Sequence, residues 1–321
     1  MTIKKFSMRL LCATSLALCA ATVHAQSFPD RPVTLYNAYS AGGSSSVAFR
    51  VLAEAAAKTL GKRVIVEDKP GAGGALAPAN MARMAKPDGY TLSQLPQPLL
   101  RIPHIQSVNY DVLNDFTWII RVVDYTYGMV VKADPRWKSL NELLVYAKAI
   151  PGKITYATSG VGVTMHLAME NLAALQGIKW VHVPHRTLSD MISGTLGGQI
   201  DVVASSVGWG QMVETGKLRV LCILGANRVK HYPDVPTAKE LGYDVLASSS
   251  YGIGGPKGMD PKVVKILHDA FKKGLDDADF MRTMDRLDQV TSYLNTADYT
   301  RWAREQYAAE KIIVERFGLK Q

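Results

Sequence analysis

Two segments carry the residue types that hold a small anion. The first, Ala41-Gly42-Gly43-Ser44-Ser45-Ser46, follows the strand-like run Val33-Thr34-Leu35-Tyr36 and leads into a helix-patterned stretch, Val47 to Leu60. Glycines let backbone amides approach a ligand in conformations other residues resist, and serines add hydroxyl donors at a helix N-terminus whose amides lack intrahelical partners. No acid in this loop repels an anion. The second segment, Ala157-Thr158-Ser159-Gly160-Val161-Gly162-Val163-Thr164, again stands between a strand-like run and a helix. Two cradles of one kind point to a ligand held from both sides.

Other chemistry fits these residues less well. Gly71-Ala72-Gly73 and Gly160-Val161-Gly162 begin like a dinucleotide fingerprint, but Leu76 and Met165 stand where the third glycine belongs. None of Gly61-Lys62, Gly152-Lys153 or Gly216-Lys217 continues with Ser or Thr, as a phosphate-binding loop requires. Ser159 has Ala157 and Val161, and Ser206 has Ala204, where a nucleophile elbow needs glycines, so a serine hydrolase ranks behind a binding protein. His166 is open equally to ligand contact and to a structural role, with a general base behind both. His182 and His185 are separated by two residues, with no Cys or acidic ligand beside them, so no metal and no cofactor is expected. Cys222, inside the apolar run Leu218 to Leu224, reads as a buried structural thiol. Trp118, Tyr125 and Tyr127 read as core aromatics, whereas Tyr39 is better placed for ring contact with a ligand.

These residues need a scaffold that presents loops at strand ends, and strand-like and helix-like patterns alternate nearly to the end of the chain, as in α/β proteins. Helix 47–60 carries Phe49, Leu52, Ala56 and Leu60 on one side, with Ser46 as its expected N-cap and Gly61 as its stop. Strands are expected near 63–66, 90–92, 129–131, 154–156, 180–183 and 200–203, and helices near 77–85, 139–149, 165–176 and 188–196. The 200–203 strand delivers Ser205 and Ser206 to its carboxyl end, where open α/β sheets bind ligands. After Tyr251-Gly252-Ile253 the pattern is almost wholly helical, with helices expected at 261–274, 277–287 and 297–316.

Lys4, Lys5 and Arg9 precede an apolar run from Leu10 to Val23, and Val23-His24-Ala25 fits a small-residue cleavage site, so residues 1–25 read as a secretory leader. No later segment reaches the roughly 20 apolar residues of a spanning helix. The formal charge of +9 falls to +6 without the leader's three basic residues. The remaining basic residues are scattered, with no run of five, which argues against nucleic acid; a mild positive field suits a small anionic solute.

The ordered set Phe28-Pro29-Asp30-Arg31-Pro32-Val33, Ala41-Gly42-Gly43, Glu67-Asp68-Lys69-Pro70-Gly71-Ala72-Gly73-Gly74, Lys86-Pro87-Asp88-Gly89-Tyr90-Thr91-Leu92, Pro151-Gly152-Lys153, Ser159-Gly160-Val161-Gly162, Val183-Pro184, Gly197-Gly198-Gln199-Ile200-Asp201, Gly216-Lys217-Leu218-Arg219 and Pro233-Asp234-Val235-Pro236-Thr237 resembles the periplasmic solute receptors of tripartite tricarboxylate transporters, the Bug proteins. The resemblance spans essentially the whole chain after the leader. It implies an α/β, type II-like periplasmic binding protein with a Venus-flytrap cleft, a first domain of residues 26–126 and 252–321, and a second of 127–251, with crossovers near 124–128 and 247–252. It further implies a monomer that delivers a small organic carboxylate to membrane subunits; a periplasmic sensing subunit is the alternative role. The site residues it implies are Tyr39, Ser40, Ala41, Gly43, Ser44, Ser45 and Ser46 on one side. On the other are Thr158, Ser159, Gly160, Val161, Gly162, Thr164 and His166.

Two departures from the family pattern bear on the ligand. Ser46 stands where an aspartate is common, which removes a partner for an amino acid's ammonium group. Val183-Pro184-His185-Arg186-Thr187 replaces a Val-Pro-Tyr-Lys-Gly type segment, so His185 and Arg186 offer donors to a second carboxylate. Together these point to a dicarboxylate, aromatic like terephthalate or aliphatic.

Overall fold

The apolar runs and amphipathic stretches resolve into two separate sheets with helices packed on them. The computed structural model describes residues 28–134 and 136–320, so the expected leader lies outside the described residues. The first sheet holds β1 (Val33–Asn37), β2 (Val64–Asp68), β3 (Thr91–Pro96), β4 (Phe116–Asp124), β10 (Ser250–Pro256) and β11 (Val290–Leu294), in the order β11-β4-β10-β3-β1-β2. The second holds β5 (Tyr127–Lys132), β6 (Thr155–Thr158), β7 (Val181–Pro184), β8 (Val202–Ser206) and β9 (Leu218–Ile223), in the order β7-β6-β8-β5-β9. Both belong to one compact unit that begins at Arg31.

The helices are α1 (Ser44–Leu60), α2 (Leu76–Met84), α3 (Pro98–Ile105), α4 (Leu140–Ala149), α5 (Thr164–Gln176), α6 (Leu188–Leu196), α7 (Gly210–Glu214), α8 (Pro261–Leu275), α9 (Ala278–Arg286) and α10 (Thr296–Arg316). Helix α1 buries Phe49, Leu52, Ala56 and Leu60, the stripe its sequence predicts. Each large apolar side chain of this kind contributes about 1.5–3 kcal/mol when fully buried. The helix stops at Gly61, whose φ of 66° is the left-handed conformation glycine tolerates, with its amide on the Ala57 carbonyl. Its start differs from expectation: the N-cap is Gly43, not Ser46, because Gly43 holds the last extended φ/ψ pair and Ser44 to Ser46 already form the first turn.

Strand β1 runs parallel to β2 and β3, and β6 runs parallel to β7 and β8. The carboxyl ends of β1 and β6 therefore deliver the two cradles. The chain leaves the first sheet at Tyr125-Thr126 and returns between β9 and β10. Ser250 and Tyr251, expected in the second domain, pair with β3 and β4 of the first sheet. The segment after Ile253 is less helical than expected, since β11 pairs antiparallel with β4. That strand is short and mostly exposed, so it carries no apolar alternation to announce it.

One core gathers Leu95, Leu99, Ile102, Trp118 and Tyr299, and another Val130, Val203, Trp209 and Ile223. Cys222 is fully buried, and burial pushes its thiol up to about 12, which fits the structural reading.

Candidate functional site

The two cradles share one backbone conformation. Gly42 at φ 75° precedes Gly43 at φ −69°, ψ 159°, and Gly162 at φ 75° precedes Val163 at φ −69°, ψ 160°; α1 and α5 start on the next residue. Neither N-cap supplies a side-chain hydrogen bond. By contrast, Ser139, Thr187, Asp260, Asp277 and Asn295 cap α4, α6, α8, α9 and α10 in the usual way. The first-turn amides of α1 and α5 are thus left for an external acceptor, at the positive ends of both helix dipoles.

Both helix starts line one inner chamber of about 70 Å³, enough for several waters or the end of a small solute. Tyr39, Ser40, Gly43, Ser44 and Ser45 face it from the first cradle, and Ser159, Val163, Thr164 and Met165 from the second. Ser205 and Ser206 arrive from the carboxyl end of β8, and Arg186 from beyond β7. Ser44 Oγ lies 2.9 Å from Ser206 Oγ, so first-sheet and second-sheet loops meet directly at the chamber. Among the described residues no Asp or Glu lines it; Arg186 is its one charged side chain, and that guanidinium makes no ion pair.

An outer chamber of about 550 Å³ shares Tyr39, Ser159 and Arg186 with the inner one. Gly160, Val161 and His185 line it, together with the turn Pro70 to Gly74, which sequence reasoning did not place at the site. Positive φ favours glycine on both sides here, 141° at Gly160 and 61° at Gly73.

Five expected site residues line neither chamber. Ala41 is exposed, and Ser46 is buried with its hydroxyl unpartnered among the described residues. Thr158, Gly162 and His166 shape the second cradle from behind. Thr158 Oγ1 accepts from the Gly160 amide at 3.3 Å and lies 2.8 Å from His182 Nε2, while the Gly162 amide donates to His166 Nδ1 at 3.2 Å. The His166 and His182 rings stack at 4.2 Å, and His182 stacks on Tyr156 at 4.9 Å. Burial lowers both imidazole pKa values, that of His182 to about 3, so each ring is neutral and His166 Nδ1 is free to accept.

Tyr125 and Tyr127, expected as core alone, both line the inner chamber. Tyr125 stands in the short crossover from β4 to β5 and Tyr127 opens β5, where a buried ring still lines the chamber. Burial pushes both phenols up, so they remain hydroxyl donors. Gln94 on β3 holds Tyr125: its Nε2 donates to the phenolic oxygen at 2.9 Å while its Oε1 accepts from the Ala38 amide at 2.9 Å. Asn37 organises the first cradle, donating to the Tyr39 carbonyl at 2.8 Å and to Asp68 Oδ1 at 2.7 Å, and accepting from Ser45 Oγ at 2.8 Å. Both residues were missed, although a polar side chain within an otherwise apolar run that ends at a ligand loop is a legible signal.

Comparison with known proteins matches the fold. The model of the tripartite tricarboxylate transporter family receptor, TctC, matches residues 48–319. The UPF0065 protein in the gbd 5' region of Cupriavidus necator is 44% identical over 307 residues, 96% of this chain and 94% of that one. Protein BugT of Bordetella pertussis is 32% identical over 257 residues, 78% of each chain. The solved structure of the periplasmic binding protein BugD superposes with a TM-score of 0.86 at 28% identity, covering 91% of this chain and 99% of its own.

Proposed function

The chain belongs to the tripartite tricarboxylate transporter receptor family and is a periplasmic solute-binding receptor, and from that premise we propose that its solute is a small organic dicarboxylate. One observation carries this reading: two uncapped helix N-termini and a ring of hydroxyls converge on a chamber that no carboxylate among the described residues lines, with Arg186 at its mouth. One carboxylate of the solute sits at the amides of α1 and α5, where it replaces the missing caps. The other reaches toward Arg186 and His185. Tyr39, Tyr125 and Tyr127 favour a flat or apolar body between them, as in terephthalate.

Binding proceeds by closure of the first-sheet domain, which the chain leaves after residue 126 and rejoins at residue 250, on the second-sheet domain, 127–249, about the crossover at Tyr125-Thr126. Contacts such as Ser44 to Ser206 exist only in the closed state, so the solute shifts the population toward closure. The closed monomer then presents the solute to the membrane subunits, and the chain performs no chemistry on it. Calorimetry with glutarate, terephthalate and the monocarboxylate valerate tests the reading. A dicarboxylate binds at least about tenfold more tightly than valerate, and Arg186→Gln narrows the gap by about fivefold, the size expected of a partly exposed ion pair. Valerate binding as well as both dicarboxylates would refute it.

A further inference from the structure

Arg101 lies on α3, beside the first sheet, and is only 2% exposed. Its Nε and Nη2 donate to Glu310 Oε2 and Oε1 at 2.5 and 2.8 Å, and Glu310, on α10, is fully buried. Gln97 Nε2 donates to the same Oε1 at 2.8 Å. The remaining nitrogen, Nη1, points the other way: it donates to the Gly162 carbonyl at 2.9 Å and approaches Thr164 Oγ1 at 3.4 Å, both in the second cradle. Helix α3 also seats tightly there, since a Cβ on Gly162 would stand 2.5 Å from Ile105 Cδ1.

We propose that Arg101, fixed by Glu310, is a positioning residue that latches the second cradle onto the first domain and orients the Thr164 hydroxyl toward the solute. The argument rests on the closure reading above. An isolated buried ion pair within one domain gains little over apolar packing, but this one leaves a third donor aimed across the cleft. A planar guanidinium spans both sides at once, which a lysine ammonium cannot do. Thr164 lines the inner chamber, and a hydroxyl that accepts from Arg101 keeps its own proton for another acceptor, here the solute carboxylate. The latch therefore couples domain closure to solute contact through one side chain.

The test compares the exported protein with Arg101→Lys, with the paired Arg101→Met/Glu310→Met, and with each combined with Thr164→Val. Glutarate and terephthalate serve as probes in stopped-flow binding, and small-angle scattering reads closure without ligand. The Met pair removes both charges together, so it keeps the core folded where a lone charge would not. Arg101→Lys and the Met pair are expected to raise koff about tenfold with kon little changed, and to enlarge the ligand-free radius of gyration. Adding Thr164→Val to either costs much less than Thr164→Val costs alone, because the two act as one unit. Unchanged koff in both Arg101 variants, or fully additive losses, would overturn the latch. If neither probe binds the wild type, the dicarboxylate reading fails by itself, and the ligand-free scattering difference still decides the latch.

Discussion

At the scale of single residues, the site depends on which groups are kept neutral. His166 must accept from the Gly162 amide, and a protonated ring could not; burial against His182 and Tyr156 secures this by lowering both imidazole pKa values. The linkage sign follows directly. Unfolded, these rings take up protons near pH 6.5; folded, His182 does so only near 3. Between those values the unfolded state binds more protons, so this contribution to stability is complete above about pH 6.5 and is lost as pH falls toward 3. Urea denaturation from pH 7 to 4 should therefore show a steeper loss of stability for the wild type than for His182→Gln. The carboxylates titrate in both proteins and cancel in the difference, so identical slopes would mean that the stacked pair does not couple to folding. Because neither ring lines either chamber, His182→Gln should leave solute affinity per folded molecule unchanged at pH 7.

At the scale of elements, the decisive feature is that two of the five helices without a side-chain cap, α1 and α5, start at the same chamber. Ordinarily an N-cap side chain contributes roughly 0.5–2 kcal/mol, and five helices of this chain have one. Helices α1 and α5 forgo it, which leaves their amides for the solute. Gly43→Asp separates stability from binding, since Gly43 has an extended φ of −69° that any residue adopts, and its new Cβ would meet the Ser40 carbonyl at a tight 3.1 Å. The aspartate should cap α1 and occupy the carboxylate position, so the melting temperature stays within a few degrees of wild type while dicarboxylate affinity falls more than about tenfold. Equal affinity, measured by calorimetry, would show that the α1 amides do not hold the ligand. The cradles were legible in the sequence because a glycine turn, a hydroxyl residue and a helix start are neighbours in the chain. The Arg101–Glu310 pair was not, because its partners lie 209 residues apart and Arg101 sits on a short helix with Pro98 at its start and Pro103 inside it, a pattern that reads as irregular. Strand β10 was only partly visible for a similar reason: it is glycine-rich through packing, since a Cβ on Gly252 would stand 2.3 Å from the Ile120 carbonyl, and no local pattern encodes that neighbour. Ser46 shows the opposite error. It was singled out from a departure in pattern, yet it turns away from both chambers, as does His166 at the equivalent third position of α5. The absence of a carboxylate around the whole chamber, not Ser46 itself, is what argues against an ammonium group.

At the scale of the whole molecule, a solute gripped from both sheets must stabilise everything that closure joins. Besides the latch and the Ser44–Ser206 contact, Lys230 pairs with Asp285 at 2.7 Å, His231 Nδ1 lies 2.9 Å from Asp288 Oδ1, and Thr126 Oγ1 donates to the Asp288 carbonyl, so second-sheet loops are tied to α9 and its flank as well. A ligand bound only by the folded state at 100 times its Kd adds about 2.7 kcal/mol. With roughly 2–4 °C gained per kcal/mol in larger domains, the unfolding midpoint should rise by about 5–10 °C. The sharpest comparison is glutarate against glutamate, two five-carbon dicarboxylates that differ by one ammonium group. Glutarate can place its carboxylates at the helix amides and at Arg186, whereas glutamate must also bury an ammonium in a chamber with no acid to pair it, and an unpaired buried charge is strongly disfavoured. Thermal unfolding at equal millimolar concentrations should therefore show a clear rise with glutarate and little or none with glutamate. A glutamate shift as large as that of glutarate would mean that the ammonium finds a partner outside the chamber, and that the donor-only lining does not set the choice of solute.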